Sequence, residues 1–204
     1  DAPEPPLPRL PWETNRPAAP SVESPLVAIT GGTVMTATGR VIEHGIVVIE
    51  DGRIRAVGAA SEIAVPDGAT VVDATGRFVT PGIIDTHSHM GVYAQPEVHA
   101  TDDGNEATAP VTAQVRAFDS FWPQDPALAR ALAAGVTTIQ VLPGSANLIG
   151  GAGETFHMHL GRSASEMEFP EAPDTMKMAC GENPKRVYGE QHQFPSTRMG
   201  NIAG

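Results

Sequence analysis

The 204-residue chain has a single cysteine, Cys180, so no internal disulfide can staple it and cysteine usage leaves its redox compartment unmarked. Basic residues are scarce: 13 Lys plus Arg stand against 24 Asp plus Glu, a formal net charge of -11. Nucleic-acid binding relies on a concentrated basic surface, so nucleic acid is not an expected partner, and neither is an anionic membrane. No apolar run approaches the roughly 20 residues that span a bilayer, because charge or glycine interrupts the longest stretches. Phosphate-cradling patterns are missing as well. Asn147-Leu148-Ile149-Gly150-Gly151 follows a strand-like run but has neither the G-x-G-x-x-G nor the G-x-x-x-x-G-K-[ST] spacing, so nucleotide binding is not supported.

What is present can fold. Hydrophobic residues make up 41% of the chain, enough for one sizeable domain or two small ones, and the chain reads as soluble. Residues 1–25 carry eight of the 19 prolines and little apolar periodicity, so a disordered, extended leader is expected there. A Pro/Ala-rich acidic start resembles what remains after a secretory signal is cleaved, which points to a secreted or periplasmic protein.

From Leu26 to about Thr80 the pattern is short β-rich runs separated by turns: Val27–Thr30, Gly31-Gly32, Thr33–Thr36, then Gly45–Glu50 and Arg53–Gly58 flanking Asp51-Gly52. An Asp-Gly pair between two such runs signals a hairpin, because both residues tolerate the positive φ of a type I′ turn. A small antiparallel β unit is expected, extended by Thr70–Asp73 and Arg77–Thr80. Further on, Asp125-Pro126 opens an Ala/Leu-rich helix, Ala127–Ala134, with Gly135 as its stop. Val136–Leu142 reads as a buried strand and Thr175–Cys180 as a third, so residues 81–204 look like the opening of a parallel α/β array. Residues 143–173 read as one long functional or mobile loop.

The densest chemical signal is Val79-Thr80-Pro81-Gly82-Ile83-Ile84-Asp85-Thr86-His87-Ser88-His89-Met90. Side chains alternate along a strand, so Asp85, His87 and His89 share a face and the two imidazoles stand roughly 7 Å apart along the backbone. Two imidazoles so placed suit a single divalent cation. Zinc is the leading candidate, and iron, manganese or nickel also fit a mixed N/O site.

A β-rich unit feeding Pro81-Gly82-Ile83-Ile84-Asp85-Thr86-His87-Ser88-His89 resembles the amidohydrolase superfamily, in its imidazolonepropionase-like and dipeptidase-like branch. Ala134-Gly135-Val136-Thr137-Thr138-Ile139 is similar to the second strand of that family, and Gly181-Glu182-Asn183-Pro184-Lys185-Arg186-Val187-Tyr188-Gly189 follows the third. The resemblance implies an α/β fold, a distorted (β/α)8 TIM-like barrel with one or two divalent metals. Residues 26–80 would form part of a composite β-sandwich, and residues 81–204 the first three β/α units. It also implies metal-assisted hydrolysis of non-peptide or dipeptide C–N amide bonds in a small amide-like substrate. Active sites in this fold lie at the C-terminal ends of the strands, where His87 and His89 fall. By resemblance these two ligate the metal and Asp85 orients them from below.

Other candidates stay open at this level. Glu182 is either a third metal ligand, on one strand face with Met178 and Cys180, or a solvated carboxylate at a helix start. Some superfamily members use such a glutamate and others a carboxylated lysine from a later strand, for which Lys185 is a further candidate. His157-Met158-His159 reads as a surface or substrate loop rather than a second metal site. His44 and His99 read as exposed, and His192 has no evident partner. Phe121 and Trp122 pack or line a pocket mouth. The resemblance expects further histidines and a general-base aspartate on later strands, which this sequence does not contain. The remaining barrel would come from more of the same polypeptide or from a partner chain, and the alternative is a non-catalytic amidohydrolase-like scaffold.

Overall fold

A computed structural model describes residues 25–204, so the expected leader lies outside the described residues except for Pro25. The chain divides into two compact units between Pro81 and Gly82. The first is a five-stranded sheet of β1 (Leu26–Met35), β2 (Val41–Glu50), β3 (Arg53–Ala59), β4 (Thr70–Asp73) and β5 (Phe78–Val79). β1, β2 and β3 run antiparallel, with the β2–β3 turn at Asp51 and Gly52 holding φ of 49° and 73°, the left-handed pair that a type I′ hairpin needs. Two expectations change here. Gly31 and Gly32 do not break the first run into two strands but kink one continuous β1, with register shifts on both sides of Gly32. The sheet is also mixed rather than antiparallel. The segment after β3 carries the chain past β2 to the free edge of β1, so β4 and β5 pair with β1 in parallel. Val34, Ile42 and Val47 form the buried centre of this unit.

The second unit is built on a four-stranded sheet in the order β6 (Ile83–Ser88), β7 (Val136–Val141), β8 (Ile149–His157), β9 (Thr175–Met178). Short helices α1 (Ala117–Ser120), α2 (Pro126–Ala133) and α3 (Ala164–Met167) accompany it, followed by α4 (Glu182–Glu190) and α5 (Arg198–Ala203). β6 and β7 are parallel, paired from Ile83↔Val136 to Ser88↔Val141 with register shifts after Ile83 and after Asp85, and α1 and α2 lie between them in the chain. α2 starts where the sequence places it: Asp125 caps it, Pro126 occupies its first turn, and Gly135 follows its end at φ 97°. Ile139, Val141, Phe156, Leu128 and Met167 are fully buried in the core of this unit, where Phe121 stacks on Phe156 with ring centroids 3.9 Å apart.

The stretch expected as one long loop contains β8, which pairs antiparallel with both β7 and β9. Its glycines read as loop punctuation, yet they serve close backbone approach. A β-carbon on Gly151 would come within 2.6 Å of the Val115 carbonyl oxygen, and one on Gly153 within 2.7 Å of the Thr175 hydroxyl. The third strand therefore joins the sheet through β8, not directly beside β7. Among the described residues no helix is long and apolar enough to cross a membrane.

One buried carboxylate clasps the segment that follows β6. Asp125, 2% exposed, accepts hydrogen bonds from the backbone N–H groups of Gly91 (2.9 Å), Gln95 (3.2 Å) and Ala127 (2.9 Å). One end of the clasp is the N-terminus of α2, and the other is the loop just past His89. Gly91 is also held through its carbonyl, which accepts from the Trp122 N–H at 2.9 Å. Asp125→Ala is expected to cost about 3 kcal/mol, a lost cap plus stranded loop donors, seen as a lower urea midpoint at unchanged m-value. A parental midpoint would show that the clasp contributes nothing.

Candidate functional site

His87 stands at the end of β6 and His89 just beyond it, where the strand gives way to the clasped loop. The structure brings the two rings together edge to face, with centroids 5.2 Å apart and planes at 80°. His87 is exposed and His89 half-buried. Asp85 supports the pair from the backbone side, its Oδ1 accepting the His87 N–H at 3.1 Å.

The protonation pattern follows from the partners. His89 Nδ1 lies 2.8 Å from the Leu142 carbonyl oxygen, and a carbonyl only accepts, so in the neutral ring Nδ1 carries the proton and Nε2 keeps its lone pair. Leu142 stands at the end of β7, and its own N–H donates to the Ser88 carbonyl at 3.0 Å, so the contact that sets the tautomer extends the β6–β7 pairing. Lys177, on β9, places Nζ 3.2 Å from His87 Nε2; an ammonium can only donate, so with Lys177 charged His87 Nε2 accepts and its proton sits on Nδ1. Both imidazoles therefore present Nε2 as the basic nitrogen. The Lys177 cation is the largest cause holding the His87 pKa below its ordinary value, followed by burial and His89, with Asp85 opposing. Burial pulls the Lys177 pKa down in turn.

Sequence reasoning passed over Lys177. Its signal was available in the strand alternation, since Thr175 and Lys177 are half-buried while Met176 and Met178 face out. Glu182 and Lys185 lie elsewhere. β9 ends at Met178, so Glu182 is no longer on a strand face. It occupies the first turn of α4, two-thirds exposed, with its carboxylate 3.6 Å from Arg186. Lys185 lies on the same helix. Among the described residues, no three His, Cys, Asp or Glu side chains come together as a metal-binding group.

His157, Met158 and His159 are not loop decoration throughout. His157 ends β8 and stacks on Phe169 at 4.1 Å, Met158 is core, and His159 Nε2 sits 2.6 Å from the Glu166 carbonyl. Phe121 is buried and Trp122 half-buried; both line a recess with Asp103 and Asp119. A larger recess of about 560 Å³ is walled by Asp102, Asp103, Glu106 and Asp119, and by neither His87 nor His89. The paired imidazoles therefore stand apart from both recesses.

Removing the Lys177 charge with Lys177→Met is expected to raise the His87 pKa toward its ordinary value, measured by NMR titration of the imidazole in metal-free protein. An unmoved His87 titration would mean that the ammonium does not face the ring.

No protein-family model matches the chain. Over 127 residues, 58% of this chain, it is 42% identical to the amidohydrolase tasK of Hapsidospora irregularis, of which the match covers 13%. The crystal structure of an amidohydrolase from Thermotoga maritima MSB8 is similar with a TM-score of 0.80 and 44% identity, over 87% of this chain and 45% of that one. The chain thus spans less than half the length of either relative.

Proposed function

We propose that this chain, which belongs to the amidohydrolase superfamily, contributes the first strands of a hydrolase that cleaves C–N bonds in small amide-like molecules with a divalent cation held by His87 and His89. The observation that carries the reading is the His89 tautomer: its Nδ1 donates to the Leu142 carbonyl, so its Nε2 can give its lone pair to a metal. His87 Nε2 can do the same once the Lys177 ammonium no longer donates to it. The Leu142 carbonyl on His89 is the outer partner that fixes a ligating imidazole and raises its basicity. Two imidazoles suit zinc first, with iron, manganese and nickel as alternatives. A divalent cation bound there supplies Lewis acidity, lowering the pKa of water and polarising a carbonyl.

The Lys177 ammonium opposes a cation beside His87, and its charge must be removed before one can bind. The chemistry that does so is carbamate formation. The neutral amine forms an N–C bond to the carbon of CO2, one C=O π pair becomes an oxygen lone pair, and the N–H proton leaves to solvent. A cationic side chain becomes an anionic oxygen donor at the same place. Burial, which lowers the Lys177 pKa, enriches the neutral amine that this step requires. Lys177 in this form is the third ligand we favour over Glu182 and Lys185.

The exposed apolar residues on this sheet support the barrel reading. Ile83 and Ile84 of β6 are 55% and 65% exposed, and Met178 of β9 is 63% exposed. Strand residues of this kind are buried in a closed barrel, so we place further strands against them. The general base and the rest of the pocket would lie on those strands.

Metal analysis of the protein tests the reading. Parent and Glu182→Gln are expected to retain one or more divalent ions per chain, while the double variant His87→Ala/His89→Ala loses them. Unchanged metal content in the double variant would sink the proposal. Growth with 13C-labelled bicarbonate is expected to give a carbamate carbon signal that disappears in Lys177→Met; the same signal surviving in that variant would move the carbamate to another lysine.

A further inference from the structure

The groups around His89 form a closed circuit. Its Nδ1 donates to the Leu142 carbonyl, and its ring meets Tyr93 edge to face, with centroids 5.6 Å apart and planes at 77°. The Tyr93 hydroxyl accepts a hydrogen bond from Asn105 Nδ2, and Asn105 Oδ1 accepts the N–H of Ala146 at 3.1 Å. Ala146 lies four residues beyond Leu142, so the circuit returns to the segment that it left. The Gly144 N–H donates to the Gly104 carbonyl at 2.7 Å, joining the same two segments a second time. A β-carbon on Gly104 would overlap the Tyr93 ring, and one on Gly144 would overlap the Tyr93 hydroxyl and Asn105. Tyr93, half-buried, is thus packed against backbones that admit no side chain and meets the imidazole edge to face.

We infer that Tyr93 is a positioning residue for His89: its ring fences the imidazole, and its hydroxyl, through Asn105, locks that ring to the residue 142–146 segment whose carbonyl sets the tautomer. Tyr93 acts through His89 and holds no reacting atom. The inference deepens the cation-site reading and rests on it for its consequence, metal affinity, while its structural content concerns the imidazole alone.

Two measurements on the protein separate the readings: the nitrogen NMR signals of the His89 imidazole without metal, and zinc affinity. The parent is expected to show the Nδ1–H tautomer. Tyr93→Leu removes fence and lock together, and is expected to mix the tautomers and weaken zinc binding about ten- to hundred-fold, the range for losing an outer partner of a ligand. Tyr93→Phe keeps the fence and is expected to lose less. Parental tautomer and parental zinc affinity in Tyr93→Leu would overturn the inference. Should that variant fail to fold, Tyr93→Phe and Asn105→Ala decide it: an altered His89 signal in both supports the circuit, and a parental signal in both overturns it. A parent that binds no zinc would defeat the cation-site reading, and the His89 tautomer would still decide the role of Tyr93.

Discussion

The hydrogen bond from His89 Nδ1 to the Leu142 carbonyl joins fold to chemistry. It continues the parallel pairing of β6 and β7 one step past the last backbone bond, so the register of the sheet and the orientation of the imidazole are one constraint. A slip of one residue between these strands would move the carbonyl away and turn His87 and His89 to the other face. The sheet therefore specifies more than the location of the histidines. It specifies which nitrogen is basic.

Around that bond, order increases inward. His87 is exposed and faces Lys177, His89 is half-buried between Leu142 and Tyr93, and the loop behind them is gripped by Asp125, which is almost wholly buried. Asp125 reaches this depth with no cationic partner among the described residues because three N–H groups, one at a helix start, replace its water. A carboxylate so satisfied is a rigid fixture. It holds both the loop that carries Tyr93 and the helix that returns the chain to β7.

Legibility in the sequence follows how local each signal is. The Asp51-Gly52 hairpin and the Asp125-Pro126 helix start are written in adjacent residues whose backbone preferences act alone, and both elements form where those residues stand. Strand partners are not local. Nothing within Thr70–Asp73 says that it runs beside β1 in parallel, since that depends on where the preceding crossover delivers the chain. β8 is the sharper case, because glycine lowers strand propensity and marks turns, yet here its missing side chain lets Val115 and Thr175 approach the strand. The information lay in the neighbours, which are distant in sequence.

The site divides in the same way. The His-x-His pair was legible because strand alternation alone puts both rings on one side, and the structure brings them to 5.2 Å. The third group was not. Strand alternation favoured Glu182, on one face with Met178 and Cys180, over Lys185 in the turn after the strand. Geometry puts Glu182 on a helix beside Arg186 and brings Lys177 to His87 across about ninety residues of sequence. A lysine ammonium repels a cation, so the proposed cation site requires a change of charge at Lys177. Burial already disfavours the ammonium, and conversion to an anion would turn the repulsion at His87 into attraction. On the proposed reading the arrangement would be a two-state site, repelling a cation with the ammonium in place and binding one with the carbamate.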